Sequence, residues 1–192
     1  MAQLEFLIEA LARAFARLAG LMILAIAVIV SIDVLTRNIT GNSVMNSLEF
    51  SVYLFAIAIS FGMSYTALCG AHIRVDVLYA RFPPPLRRAL DFLAFLSLSS
   101  LSVFLAVTTI KLALSSASHG TTSNSAMAVP LAIPQAIWAF GFCVFAVTSL
   151  LLTVRHGAAL VTGRGDEADR IGRFDSSDEV AEAIDDAIGR ER

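Results

Sequence analysis

Long apolar blocks alternate with short polar ones along the whole of this chain. Four blocks reach the roughly 20 residues that a helix needs to cross about 30 Å of hydrocarbon. They cover about 18–36, 48–69, 89–114 and 133–154. Charges fall only near their ends: Asp33 in the first, Glu49 in the second, Asp91 and Lys111 in the third. An unpaired backbone amide in lipid costs several kcal/mol, so each block is predicted to be helical. The expected fold class is an all-α membrane protein with four transmembrane helices.

The ends of the chain read differently. In residues 1–17, Leu4, Leu7, Ile8, Leu11 and Phe15 recur at spacings of three and four, while Glu5, Glu9, Arg13 and Arg17 hold much of the remaining surface. This pattern predicts an N-terminal amphipathic interfacial helix leading into the first span; a plain extension of that span is the alternative. Residues 155–192 form an acidic tail after the four-helix domain of 18–154. Within it, Ser176 and Glu179 have capping-box spacing, and Val180, Ile184 and Ile188 follow at intervals of four. A short amphipathic helix fits there, as does a solvated tail. The first apolar run is too long for the core of a signal peptide and is read as a retained span.

Composition sharpens the class. The chain is 57% hydrophobic and 16% charged, against about 45–50% and about 25% in soluble domains. The formal net charge of −2 hides a split, because 164–192 carries ten acids and five bases and the rest is mildly basic. Neither part presents a nucleic-acid surface. Cys69 and Cys143 are too few and too separated for a disulfide framework or metal site and are expected as small buried hydrophobes.

Lysine and arginine near the span ends set orientation. Arg13, Arg17, Arg74, Arg81, Arg87, Arg88, Arg155 and Arg164 lie on one side, against Arg37 and Lys111 on the other. Both termini and the Gly70–Arg88 loop are therefore expected in the cytoplasm. The loop of 37–47 and the Ser115–Pro130 loop, which holds no formal charge, are expected outside.

Ionisable groups near a bilayer are functional candidates by default. Asp33 and Arg37 are four apart and could pair on one helix face, or Arg37 could reach Glu49 across two helices. An interhelical or intersubunit clasp is favoured over ion handling, because the spans lack polar groups at several depths and lack the broken helices of a midplane binding site. Ala58, Gly62 and Thr66 form a small-residue row, with Ala56, Ser60 and Ser64 beside it; such rows let helices approach closely. Ser97, Ser99, Ser100 and Ser102 read as packing positions, since no hydrolase set or GxSxG accompanies them. No phosphate loop or HExxH occurs, and His72, His119 and His156 are too scattered for a metal. No enzyme activity, cofactor or metal is expected. Trp138, about one turn into the fourth span, fits an aromatic belt.

The segment from Gly70 to Pro85 reads GAHIRVDVLYARFPPP. His72, Arg74 and Asp76 alternate with Ile73, Val75 and Val77, a pattern of an extended or interfacial segment. Topology-setting charge accounts for Arg81, Arg87 and Arg88 but not for a histidine and an aspartate flanking Arg74.

These residues, in order, resemble the small membrane subunit of tripartite ATP-independent periplasmic (TRAP) transporters. Arg37 ends the first span, Glu49 opens the second, Phe61-Gly62 sits inside it, and Gly70 to Asp76 follows its end. A proline and basic residues then open the third span. The likeness covers about Leu18 to Val154, and the His-Ile-Arg-Val-Asp run is its specific part. Asn46-Ser47 departs from it, because family members commonly carry an aromatic there; the acidic tail is longer than the family core.

The resemblance implies a bacterial or archaeal inner-membrane protein paired with a large permease subunit. That partner would hold the substrate and sodium sites and move as an elevator in symport. A periplasmic binding protein would deliver organic acids such as dicarboxylates or sugar acids. The small subunit would be the scaffold, with Arg37, Glu49, Gly62, His72, Arg74 and Asp76 as structural or interface candidates. The alternative function is a stand-alone membrane organiser or sensor whose acidic tail binds a cytosolic partner.

Overall fold

The computed structural model describes residues 2–41, 47–69, 82–125 and 128–164. Four helices make up almost all of this: α1 (Ala2–Thr40), α2 (Ser47–Leu68), α3 (Pro84–Ser118) and α4 (Ala132–Val161). Each is long and apolar enough to cross a membrane, so the all-helical, four-span class is observed. No strand occurs among the described residues; one isolated bridge joins Thr122 and Pro130.

The helices are longer than the apolar blocks. At 1.5 Å per residue, the 39 residues of α1 extend about 58 Å. The amphipathic segment and the first span are thus turns of one helix, without an intervening break. The α3 helix opens on prolines, where a missing amide costs nothing. It closes through Gly120, which takes a left-handed φ of 60°. The Thr121 amide then reaches back to the Ser116 carbonyl at 3.0 Å, using a carbonyl the helix leaves open.

Packing links α3 to α4, α4 to α2, and α2 to α1. The α4 helix is central: 50% of its most apolar window is buried, against 11% for α1. Two apolar clusters result. One gathers Ala67, Phe95, Ala106, Phe142, Phe145, Ala146 and Leu152, and the other Ala19, Ile57, Ala58 and Phe61. Trp138 packs against both, with its ring edge-on to Phe142 at 5.5 Å. Its place is therefore in the seam between helix pairs, not only in an aromatic belt. Phe15 carries α1 into that seam, stacking on Phe61 at 4.4 Å and meeting Phe140 edge-on at 5.9 Å.

The α3–α4 loop is ordered at its base. Ser123 donates its amide to the Val129 carbonyl at 2.9 Å, and Leu131 to that of Thr121 at 3.0 Å. Ala128 holds a φ of 44°, a left-handed conformation that costs a non-glycine residue roughly 1–2 kcal/mol.

Candidate functional site

The charges near the α1–α2 junction come first. Ser47 donates its hydroxyl to Asp33 Oδ2 at 2.7 Å, tying the start of α2 to α1. Tyr53 donates its hydroxyl to Glu49 Oε1 at 2.8 Å, one turn along α2. The Ser123 side chain also reaches the Tyr53 hydroxyl, so the α3–α4 loop touches this group. An interhelical clasp between α1 and α2 exists, but serine supplies it. Arg37 is exposed and pairs with neither carboxylate among the described residues. A hydroxyl carries no charge signal and the 14-residue offset between Asp33 and Ser47 matches no local period, so the sequence pattern does not announce this bond.

The small-residue rows are divided by the structure. Ser60 and Ser64 are fully buried and Ala58 nearly so. Gly62 is half-buried, and a Cβ placed on it would meet nothing within 4 Å. The close approach lies elsewhere, at Gly141 of α4. A Cβ there would fall 2.7 Å from Phe61 Cδ1 and 2.8 Å from Ser60 Cβ, and would overlap Ser60 Oγ. Glycine at 141 is what lets α4 touch α2. It stands alone in an apolar run, so no small-residue repeat announced it.

Hydroxyls line the α3–α4 contact. Ser102 and Ser149 share a hydrogen bond of 2.7 Å between the helices. Ser102 Oγ also lies 2.8 Å from the Ser99 carbonyl and Ser149 Oγ 2.6 Å from the Phe145 carbonyl, so one of the two hydroxyls donates across to the other helix while the other donates within its own. Thr153 Oγ1 lies 2.9 Å from the Phe95 carbonyl of α3 and 2.8 Å from the Ser149 carbonyl of its own helix. Such bonds satisfy polar groups in hydrocarbon and key one helix to the next.

The other end of this hairpin holds a histidine that belongs to no motif. His156 is fully buried. Its Nε2 lies 3.2 Å from the Arg88 carbonyl. A carbonyl only accepts, so Nε2 carries the proton. The ring centroid is 6.5 Å from that of Phe92 and 5.2 Å from that of Phe95. Nδ1 is buried and has no hydrogen-bond partner among the described residues. Asp91 is also buried, although its charge had marked a span end. Cys69 is exposed and Cys143 half-buried; both are free thiols, so the expected burial fails for Cys69, which sits just past the end of α2. No group of metal-binding side chains occurs among the described residues.

His72, Arg74 and Asp76 lie outside the described residues, as do the capping box and apolar positions of 176–188. Of the interface candidates, the structure therefore places Arg37, Glu49 and Gly62. It does not bring them together: Glu49 sits in the first turn of α2 with Tyr53, Arg37 stands exposed in the last turn of α1, and Gly62 lies about four turns along α2.

Two kinds of comparison complete the picture. The family model described as tripartite ATP-independent periplasmic transporters, DctQ component, matches residues 26–158. No curated protein and no solved structure matches. The matched region starts inside α1 and ends near the last turn of α4, so it takes in the α2–α4 and α3–α4 contacts and the Asp33–Ser47 bond, while the α1 contacts of Phe15 and Ala19 lie before it.

Proposed function

The chain belongs to the DctQ family, the small component of TRAP transporters, and from that premise we propose that it is the scaffold of its transporter. It enlarges the fixed body against which a large permease subunit moves its substrate and sodium sites. The imported substrates are organic acids such as dicarboxylates or sugar acids, delivered by a periplasmic binding protein. The complex sits in the inner membrane of a bacterium or archaeon, with both ends of this chain in the cytoplasm. The chain itself performs no catalysis.

One observation carries this reading. The polar side chains inside the helix contacts key the helices to one another: Ser102 to Ser149, Thr153 to the Phe95 carbonyl, and Ser60 against Gly141. A body locked in this way suits a static frame. Arg37 and the open space over Gly62 support them as points where the large subunit can dock. Arg74, with His72 and Asp76, completes the set on the opposite side of the membrane.

Co-expression with the large permease tests the proposal. The two should purify together in stoichiometric amount. Uptake should survive removal of the tail and fail on Arg74→Ala or Glu49→Ala. Substrate uptake by this chain alone would overturn the scaffold role. Loss of function on tail removal, with the helical body intact, would favour the organiser or sensor.

A further inference from the structure

We propose, on the basis of the scaffold role above, that the face of α3 turned away from α4 docks a transmembrane helix of the large permease subunit, with a carboxylate of that helix opposite Lys111. At about 3.6 residues per turn, Ser97, Ser100, Phe104, Thr108 and Lys111 fall within about 100° of one helix surface. All five are exposed. Ser99, Ser102 and Ala106 are buried on the opposite side, where Ser102 meets Ser149 of α4. The serines of α3 are thus divided between two faces, and one of those faces already has its helix.

Lipid does not suit the other face. Ionisable side chains within spans almost always turn toward protein or water and pair there. Lys111 is exposed and has no ion pair or hydrogen bond among the described residues. About 10 Å of helix separates it from Ser118, the last residue of α3. A flexible lysine can snorkel over such a distance. The hydroxyls of the same face cannot, because Ser97 and Ser100 lie near the middle of Pro84–Ser118. The outward positions of α1 differ: Leu24, Val28 and Leu35 are all apolar.

The hydrogen bonds of this face state what its partner must carry. Ser97 donates its hydroxyl to the Leu93 carbonyl and Thr108 to the Phe104 carbonyl, each at 2.8 Å. Their protons stay within α3, so outward they only accept. An ammonium group only donates. The complementary helix therefore has a carboxylate at the level of Lys111 and donors such as hydroxyls or amides at the levels of Thr108 and Ser97. Hydrogen bonds of this kind join helices in membranes. A second copy of this chain, docked here by a two-fold axis along the membrane normal, would set Lys111 against Lys111. Charge therefore selects a different chain.

The test uses the full chain co-expressed with the large permease, with benzoylphenylalanine as photo-crosslinker at one position at a time. Ser100 and Thr108 should cross-link to the permease. Val103 and Ile110, exposed on the flank of α3, should not. In mixed micelles, Lys111→Gln should raise the dissociation constant of the pair about ten-fold, the usual loss for a hydrogen bond to a charged group. Lys111→Glu should raise it further, and Lys111→Arg should hold it near its original value. The cross-links need no change at Lys111, so they test the face even where a Lys111 variant misfolds. Unchanged affinity in a folded Lys111→Glu chain would overturn the pairing. Cross-links from Ser100 and Thr108 to lipid or to a second copy would overturn the docking. A permease that binds the chain without these cross-links defeats the α3 surface alone, whereas a permease that does not bind the unaltered chain defeats the scaffold role as well.

Discussion

Gly141→Ala adds one methyl at the contact on which the two halves of the molecule meet. The new carbon would stand 2.8 Å from Ser60 Cβ and 2.7 Å from Phe61 Cδ1. Carbon atoms prefer about 3.5–4.0 Å, so α2 and α4 must part by nearly 1 Å. A gap of that size forfeits a quarter to a half of each contact along the seam. Ser60 Cβ is fixed to its backbone and cannot swing aside, so the strain falls on the helices. Overpacking by one methyl costs about 1–3 kcal/mol; the rigid neighbour argues for about 2. The α1–α2 pair joins the α3–α4 pair chiefly through this seam, so the loss should appear as lower global stability. Denaturant unfolding in mixed micelles, followed by helical circular dichroism, measures it. Ser60→Gly in the same chain removes the obstacle, and the double variant should recover about 1 kcal/mol relative to the sum of the single changes. Gly62→Ala is the control, since a methyl there meets nothing. It should be neutral or should stabilise the isolated chain by up to about 1 kcal/mol through helix propensity. Equal stability for Gly141→Ala and Gly62→Ala, with no coupling to Ser60, would refute the argument.

Gly62→Ala should at the same time weaken co-purification with the large permease if that open face is a docking point; undiminished co-purification removes Gly62 from the interface. Replacing Ser102 and Ser149 by alanine, singly and together, should give a coupling of about 0.6 kcal/mol, the usual size for such bonds within membranes, read from the same unfolding curves. His156→Ala should cost about 3 kcal/mol, because it empties a fully buried site between Phe92 and Phe95 and removes the hydrogen bond to the Arg88 carbonyl. Ala128→Gly should raise stability by about 1 kcal/mol by relieving the left-handed φ. Reporter fusions after Arg81 and after Thr122 should report cytoplasm and periplasm respectively; the reverse result would invert the proposed orientation.

The spans were legible because hydrocarbon imposes a one-dimensional rule: a run of apolar residues of sufficient length must become a helix. The family was legible because its marks, from Arg37 and Glu49 to the His-Ile-Arg-Val-Asp run, lie close together in sequence. The partners of those marks were less so. Asp33 and Arg37 sit at a spacing that suggests a pair, yet Asp33 takes its hydrogen bond from Ser47 of the next helix. Likewise Gly62 lies within a regular small-residue row, yet Gly141, with no row around it, makes the close approach. Periodicity reports which residues share a face of one helix. It carries no information on which face another helix will choose.

The sequence by itself thus determined four long apolar helices, the membrane as their solvent and the transporter family of the whole. The tertiary structure alone decided that α4 is central, that Trp138 joins two apolar clusters, and that His156, Ser102 and Ser149 are buried in the α3–α4 contact. The reason is physical. Burial in lipid is a property of each segment and can be summed along the chain, whereas helix association in lipid lacks a hydrophobic drive and depends on local fit and hydrogen bonds between residues far apart in sequence.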